Sequence, residues 1–533
     1  MPSRWPESCC HVGTVGLLVS FRYKRLLGDL SETHRRAERR APGRKCNQIE
    51  NIVSQIKTVG IIGAGLSGLA AGVALARRGI RVELFEAKEK LGGCCATTQQ
   101  QGYTFNDGAL YVAVPELLDH AFDTLGIDRS TAVPLRRITS AVETTLPDDT
   151  VVAMGIGSEV KVHGRDGEAR SARAASEVES LLNRWRPVLR LFADDLLTQP
   201  PSTARLLLKA WRHLPKFRGT VAAELERAFS DPAVRAAMSG VLLYTGLPPQ
   251  QMPVFQLIGL VALLDSGFYL PEGGMGAIPQ ALSTTLLQHG GKIHTGAKVK
   301  KIRVTRNRVF GLEVHGHGTV AVDAAISTVS GMLTFGSLLD AENVPESLRR
   351  KARNAPLSQK ALSIQLGLSN RLEARSHSVS RLPFMEEQQQ ALLPGSEAAN
   401  WTSYSVPTVT MPQLAPPGGS IVEMFPPIDQ TWAIDRWTQQ TTQAAAESAI
   451  ATLSRLHNLD IATSRVRSPK DYRDTMHLFG GAVYGLSPAA GPTAQFPHRT
   501  PIRGLLQAGQ TTYPGYGTST AIWSGIFAAQ ALL

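Results

Sequence analysis

Three glycines and one carboxylate carry the clearest chemistry in this 533-residue sequence: Gly63, Gly65, Gly68 and Glu86. In the run Gly63-Ala-Gly65-Leu-Ser-Gly68, the first glycine permits a tight turn and the second lets the backbone approach a pyrophosphate. The third allows a helix to pack closely on the preceding strand. Leu66 and Ser67 stand where that helix opens, and its unpaired N–H groups and positive dipole end face outward for phosphates. Glu86 follows Gly68 by 18 residues, an interval at which a carboxylate can accept hydrogen bonds from ribose hydroxyls. Together these residues specify recognition of a dinucleotide.

The elements that must hold them are written around them. Thr58–Ile62 reads as a buried strand, and Leu66, Leu69, Ala70, Val73 and Ala74 give helical spacing up to Arg78. Gly79 breaks the helix, and Ile80, Val82 and Leu84 alternate as a second strand ending at Glu86. Strand, glycine turn, helix, strand and acid in this order distinguish the segment from a glycine-rich turn without a ligand.

Composition bounds the remainder. Hydrophobic residues make up 43% and charged ones 19%, the balance of an ordinary globular protein. No uncharged apolar run reaches the ~18–20 residues of a spanning helix. The net charge is +12, but residues 1–57 hold 11 Lys/Arg against 5 Asp/Glu, and the other 476 hold 45 against 39. Half the excess therefore sits in the first ninth of the chain, which reads as a disordered basic extension. Its short apolar stretch Val12–Phe21 lacks the flanks of a signal peptide, and Glu7, Asp29, Glu32, Glu38 and Glu50 interrupt the pattern of a transit peptide. No helix-turn-helix, zinc finger or aromatic-interleaved basic patch points to nucleic acid. Five cysteines without a C-x-x-C pair or zinc spacing predict a reducing, cytoplasmic setting and no metal.

Beyond Glu86 the chain reads Ala87-Lys88-Glu-Lys-Leu-Gly92-Gly93, then Gly102-Tyr-Thr-Phe-Asn-Asp107-Gly108-Ala109-Leu-Tyr111. This second diglycine resembles the pattern of the flavin amine oxidase and phytoene desaturase superfamily. Phe268-Tyr-Leu-Pro-Glu-Gly273-Gly-Met-Gly276-Ala-Ile-Pro-Gln-Ala281 is similar to a hallmark of the phytoene desaturase family, which includes carotenoid isomerases and retinol saturases. Gly504-Leu-Leu-Gln-Ala-Gly509-Gln510-Thr-Thr-Tyr513-Pro-Gly515-Tyr516-Gly517 is similar to that family's final FAD-contacting segment, and Val483–Leu486 and Phe496–Thr500 fit the same pattern. The resemblance covers residues 58–533.

The resemblance implies FAD, held by Gly63, Gly65, Leu66, Ser67, Gly68, Glu86, Ala87, Lys88, Gly92, Gly93, Gly108, Ala109, Val299, Gly509, Gln510, Gly517 and Thr518, with Val299 at the adenine end. It implies an α/β fold: a Rossmann-type FAD-binding domain, a doubly wound sheet with helices, interleaved with an α+β substrate-binding domain. Residues 58–115, 270–335 and 495–533 are expected to form the first, and 116–269 and 336–494 the second. The helix over Gly517–Gln530 turns its N-terminus to the same cofactor as the glycine loop. Two departures stand out. Cys94 occupies the place where the family commonly has Arg after the diglycine, and Tyr516 stands where many desaturases have smaller residues.

Residues 112–270 read as mostly helical, with Ser176–Ala193 and Pro201–Leu214 as helices. Met252–Leu264 is the most apolar stretch, read as a buried core helix or as a tunnel wall or membrane-facing patch. Ala361–Leu368 and Ile421–Phe425 read as strands and Thr442–His457 as an amphipathic helix. Because a flavin carries the redox step, no catalytic side chain is legible; Tyr111, Tyr513 and Tyr516 are the pocket candidates. His377, His477 and His498 read more readily as structural than as acid–base groups.

The main functional reading is an FAD-dependent oxidoreductase that desaturates, saturates or isomerises a hydrophobic polyene or isoprenoid-like substrate, with peripheral contact to a membrane. Two alternatives remain open at this point. One is a flavin amine oxidase-like enzyme, which wants an aromatic cage and a substrate-facing Lys or carboxylate. The other is a non-catalytic prenyl-binding carrier similar to the Rab GDP-dissociation inhibitors, which has no need of an intact glycine loop.

Overall fold

In the computed structural model, which describes residues 56–391 and 402–533, the elements that carry the site follow one another along the chain. They are β1 Thr58–Ile62, α1 Leu66–Ala76, β2 Arg81–Phe85, α2 Thr203–Ala210, α3 Leu257–Ser266, β3 Lys292–His294, β4 Val299–Thr305, β5 Ala324–Ser327, β6 Ser363–Leu368, β7 Ser420–Met424, β8 Ile461–Arg467, β9 Leu505–Gln507 and α4 Thr518–Leu532. The expected basic extension lies outside the described residues, apart from Ile56 and Lys57.

The four apolar residues of β1 are buried, as a strand covered on both faces requires. β1 sits at the centre of a parallel sheet ordered β3-β2-β1-β5-β9. Its outer strand β9 comes from the far end of the chain, and α4 follows it back onto α1. There the Ser67 hydroxyl donates to the Ala521 carbonyl at 2.7 Å. The two helix backbones approach so closely that a Cβ on Gly525 would lie 2.0 Å from the Ser67 carbonyl oxygen. A Cβ on Gly68 would lie 1.9 Å from the Gly63 oxygen, so the expected close packing of helix on strand is real. β4 forms an antiparallel hairpin with Arg308–Val314, which pairs onward with Gly318–Ala321 before the chain re-enters the parallel sheet at β5.

A second, eight-stranded sheet is ordered β8-β6-β7, Thr402–Ser405, Ser378–Arg381, Val142–Thr145, Val151–Met154 and Val160–His163. The strands expected over Ala361–Leu368 and Ile421–Phe425 are β6 and β7. Residues 112–270 are less helical than their pattern suggests, because they also supply the last three strands of this sheet. Each is only four residues long, and Val142–Thr145 pairs in parallel with Ser378–Arg381, far along the chain. Such strands have too few residues to show a period and gain stability only from a distant partner.

The helices around this sheet also shift from expectation. Ser176–Ala193 belongs to a longer helix, Gly167–Leu191, whereas Pro201–Leu214 contracts to α2 and a short turn at Leu214–Phe217. The apolar stretch Met252–Leu264 becomes α3 and the turn before it. Leu257, Leu260, Val261, Leu263 and Leu264 are fully buried, so α3 packs in the core, while Phe255 in the turn before it is exposed and Phe255, Gln256 and Ile258 line a cavity. No helix among the described residues is long and apolar enough to cross a membrane.

Candidate functional site

Two helix N-termini open into one cavity. Gly65 is the N-cap of α1 and Gly517 the N-cap of α4, and neither helix has an acidic residue in its first turn. Both residues line a cavity of about 1730 Å³, larger than the roughly 300–1,000 Å³ of a single small-molecule site. A Cβ on Gly65 would meet no atom within 4 Å, so the backbone is bare at the point where a phosphate would approach. Gly92 lies against this loop through a parallel bridge to Gly65, its N–H donating to the Ala64 carbonyl at 2.8 Å. In the first turn of α4, the buried Ser519 hydroxyl has no hydrogen-bond partner.

The structure places eleven of the twenty sequence-selected residues in the cavity wall and nine outside it. Gly65, Leu66, Gly92, Gly108, Ala109, Gln510, Gly517 and Thr518 line it, with Tyr111, Tyr513 and Tyr516. Gly63, Ser67, Gly68, Gly93 and Gly509 stand behind that lining as supports. Glu86, Ala87, Lys88 and Val299 are not part of the wall. Glu86 follows β2, buried, and its carboxylate accepts the Ala64 N–H at 2.7 Å and the Lys88 N–H at 3.0 Å. Each carboxylate oxygen keeps further acceptor capacity for a sugar hydroxyl. The Glu86 carbonyl accepts the Ala297 N–H at 2.8 Å, which brings the start of β4, Val299, to the same edge.

Tyrosines shape the other side. The Tyr484 and Tyr516 ring centroids lie 4.7 Å apart, Tyr244 meets Tyr484 edge-on at 6.0 Å, and Tyr111 stacks on Phe268 at 3.9 Å. The Tyr516 hydroxyl donates to Gln256 Oε1 at 3.1 Å, and the Tyr513 hydroxyl donates to the Leu196 carbonyl. Burial pushes Tyr244 and Tyr513 up to about 12 and raises Tyr111, Tyr484 and Tyr516 as well. All five are neutral hydroxyls at physiological pH. Tyr244 escaped sequence reasoning, since nothing local marks it; Tyr484 lies in the Val483–Leu486 segment that fits the family pattern but was not among the pocket candidates.

The titratable group of most interest also escaped it. Glu423, the penultimate residue of β7, is 1% exposed and lines the cavity. Its Oε1 accepts the Asn106 N–H at 3.3 Å and Gln365 Nε2 at 3.2 Å, whereas Oε2 has no partner. Burial, opposed only in part by these bonds, pushes its carboxyl up to about 7. The available signal was a lone acid in the apolar run Ile421-Val-Glu423-Met-Phe425. Beside it, Asp107 accepts Arg465 at 3.1 Å and Arg467 at 2.7 Å, both from β8. Burial alone would raise the Asp107 carboxyl, but Arg467 and Arg465 hold it below the usual carboxylate range.

This cluster bears on Cys94. The Cys94 carbonyl accepts the Ala109 N–H at 2.8 Å, and Arg467 Nη1 donates to the Asp107 carbonyl at 2.9 Å. A guanidinium therefore reaches this corner from β8, although the position after the diglycine holds none. Cys94 and Cys95 are both free thiols, and burial raises both. Among the histidines, His498 lines the cavity and its Nδ1 meets the Gln507 carbonyl at 3.0 Å. His377 is buried away from it, lowered by burial to about 4. His477 lies outside the cavity wall, and burial lowers it too.

Residues 66–533 match the family model described as flavin containing amine oxidoreductase. The chain belongs to that family. It is an FAD-dependent oxidoreductase. Among curated relatives, this flavin-containing amine oxidoreductase is 25% identical to the zeta-carotene-forming phytoene desaturase of Myxococcus xanthus, over 90% of this chain and 94% of that one. It is 26% identical to the lycopene-forming phytoene desaturase of Pseudescherichia vulneris, over 90% and 99%. It is 22% identical to the 4,4'-diaponeurosporene oxygenase of Staphylococcus aureus, over 88% and 96%. A solved putrescine oxidase shares its fold with a TM-score of 0.60 at 15% identity, over 89% of this chain and 98% of that one. An oxidoreductase from Methanosarcina mazei does so with a TM-score of 0.59 at 16% identity, over 89% and 100%.

The residues present suit FAD. The bare Cα of Gly65, the orphaned Ser519 hydroxyl and two unopposed helix N-termini supply the anion cradle a pyrophosphate needs. Glu86 retains acceptor capacity that a sugar hydroxyl could use. Among the described residues no group of His, Cys, Asp and Glu could hold a metal ion.

Proposed function

We propose that the protein removes hydrogen from a long hydrophobic polyene, or rearranges its double bonds, in the cavity beside the flavin. The carrying observation is the cavity itself: about 1730 Å³, reaching from the glycine loop past Phe192, Leu196, Phe217 and Ile258 to exposed Leu206 and Phe255. Its length and apolar wall suit an extended hydrocarbon, and the relatives named as carotenoid desaturases align over nearly the whole chain. In this reading Gly65, Leu66 and Gly92 would hold the pyrophosphate of FAD, Glu86 its ribose and the backbone at Val299 its adenine end. Gly108, Ala109, Gln510, Gly517 and Thr518 hold the ring end.

FAD, when bound, supplies an acceptor for a hydrogen and its electron pair. The chain's own residues position the substrate, exclude water and handle the accompanying proton. Tyr244, Tyr484 and Tyr516 pack the polyene beside the ring system, and Glu423, with one oxygen free, takes or returns the proton. A carboxyl near neutrality is matched to that task at physiological pH. An oily substrate resides in membranes, so contact with a bilayer surface belongs to the same reading.

One observation favours a second reading: tyrosines and a buried carboxyl share one cavity, the pair an amine oxidase-like enzyme would use. Anaerobic incubation of the flavin-loaded protein separates the two. Bleaching of the flavin by C40 polyenes with formation of new double bonds supports desaturation. New polyene isomers without bleaching point to isomerisation. Bleaching by amines alone overturns the polyene reading in favour of the amine.

A further inference from the structure

Away from its apolar reach, the cavity meets one face of the eight-stranded sheet, and there its wall turns polar. Five residues stand opposite one another across five neighbouring strands. Ser378 faces Ser405, Ser405 faces Glu423, Glu423 faces Gln365, and Gln365 faces Arg465. Residues paired in this way project to the same side of a sheet, and Ser378, Ser405 and Glu423 all line the cavity. Val142, paired with Ser378, closes the row with an apolar side chain.

The row is anchored at one end and unfinished in its middle. Arg465 Nη1 donates to Gln365 Oε1 at 3.1 Å, which turns the amide so that Gln365 Nε2 donates to Glu423 Oε1 at 3.2 Å. The Asn106 N–H reaches the same oxygen at 3.3 Å. Glu423 Oε2, by contrast, is buried and has no partner among the described residues. A hydrocarbon packed against it leaves that oxygen desolvated and unpaired, which weakens binding. A ligand group that forms hydrogen bonds removes the penalty.

The state of the carboxyl selects the group. Burial pushes it up to about 7, so ionised and protonated forms both occur near neutrality. The ionised form only accepts, whereas the protonated form also donates. An ammonium therefore pairs with the first alone and a carbonyl with the second alone. A hydroxyl, donor and acceptor at once, pairs with both. Arg465 and Arg467 also share the single carboxylate of Asp107 behind the wall, and their surplus positive charge opposes a cation.

We infer that this row is a hydroxyl site: the cavity takes a long apolar chain ending in an alcohol, whose O–H is shared by Glu423 Oε2 and the Ser405 hydroxyl. The inference rests on the polyene reading and names the end group of its substrate. Because the alcohol stays paired in either protonation state, it is compatible with the proton role given to Glu423.

The test titrates three detergent-dispersed probes of one C40 skeleton into the full flavin-loaded chain: the hydrocarbon polyene, its terminal alcohol and its terminal amine. Binding is read from the shift of the polyene absorption band and the quenching of tryptophan fluorescence, neither of which needs turnover. The alcohol is expected to bind about 10- to 100-fold more tightly than the hydrocarbon, and the amine no better than the hydrocarbon. Glu423→Leu should abolish the alcohol's advantage without weakening the hydrocarbon. Ser405→Ala should lower affinity for the alcohol alone, by about 5-fold, and carries the comparison if Glu423→Leu fails to fold. Equal affinity for alcohol and hydrocarbon in the unmodified protein overturns the inference, as does tighter binding of the amine. So does an equal loss of both polyenes in Ser405→Ala, since the row would then serve only the fold. Anaerobic flavin bleaching, measured in parallel, tells the two failures apart. A preference for the alcohol without bleaching by any polyene supports the hydroxyl site and counts against the polyene reaction. Bleaching by alcohol and hydrocarbon alike, with equal affinities, counts against the hydroxyl site alone.

Discussion

The two walls of the cavity are built by different means. On the side proposed for the cofactor the working groups are mostly backbone, a bare Cα at Gly65 and N–H groups at the starts of α1 and α4, joined by the Ser519 hydroxyl and the Glu86 carboxylate. On the side proposed for the substrate they are side chains: Glu423 and the tyrosines in the wall, with the Asp107–Arg465–Arg467 cluster behind it. A backbone site is specified by where side chains are missing, so it tolerates few substitutions and changes little in chemistry. A side-chain site can be retuned one residue at a time, as Cys94 and Tyr516 illustrate by their departures from the family pattern. Enzymes of one fold therefore keep the cofactor and vary the reaction.

Breaking the backbone wall should have the largest effect. Gly65→Val places a branched side chain where a pyrophosphate must come within contact, and the natively purified protein should lose its flavin absorbance altogether. Full flavin content in that variant would show that the loop is not the cradle.

Next comes Glu423→Gln, which should keep FAD and lower kcat/KM by about 100- to 10,000-fold. Only the ionised carboxylate accepts a proton, so the unmodified enzyme should gain activity as pH rises through about 7, and the variant should lack that limb. Asp107, Arg465 and Arg467 share the neighbourhood, but they stay charged across this range. Stability should move the opposite way. Burial raises the Glu423 value above its ordinary 4.5, so its contribution to stability is present at low pH and is lost as pH rises through about 7. Urea unfolding should show the unmodified protein losing up to about 3 kcal/mol relative to Glu423→Gln across that window. Parallel pH curves would sink the assignment.

Arg467→Met probes the support behind the side-chain wall. It leaves the Asp107 carboxylate, 2% exposed, with one guanidinium fewer, and should cost about 3 kcal/mol of unfolding free energy. Tyr516→Phe is the mildest change. It removes one partly buried hydrogen bond to Gln256, worth about 1 kcal/mol, and should alter KM more than flavin content. A large loss of flavin in that variant would blur the division between the two walls.

Legibility followed the same division. The β1–α1–β2 unit could be read to within a few residues because each part of its signal is local: an apolar strand, three spaced glycines, a helical period and an acid. The final helix, expected over Gly517–Gln530 and found as Thr518–Leu532, was legible for the same reason. Three short strands between Val142 and His163 were not, since each gains its stability from residues more than a hundred positions away or from a neighbour as short as itself. The Met252–Leu264 stretch shows the converse. Apolar composition alone could not say whether α3 faced lipid or core, and the shorter, mixed α2 proved to be the exposed one.

The sequence by itself determined the dinucleotide loop, the flavin family and the alternation of strand and helix around them, because these depend on contacts a few residues apart. Only the tertiary structure decided which side chains gather at the cavity and behind its wall. Glu423, Tyr244, Tyr484 and Arg467 come from four separate segments, and their burial, their partners and Glu423's near-neutral carboxyl arise only when distant segments close around one space.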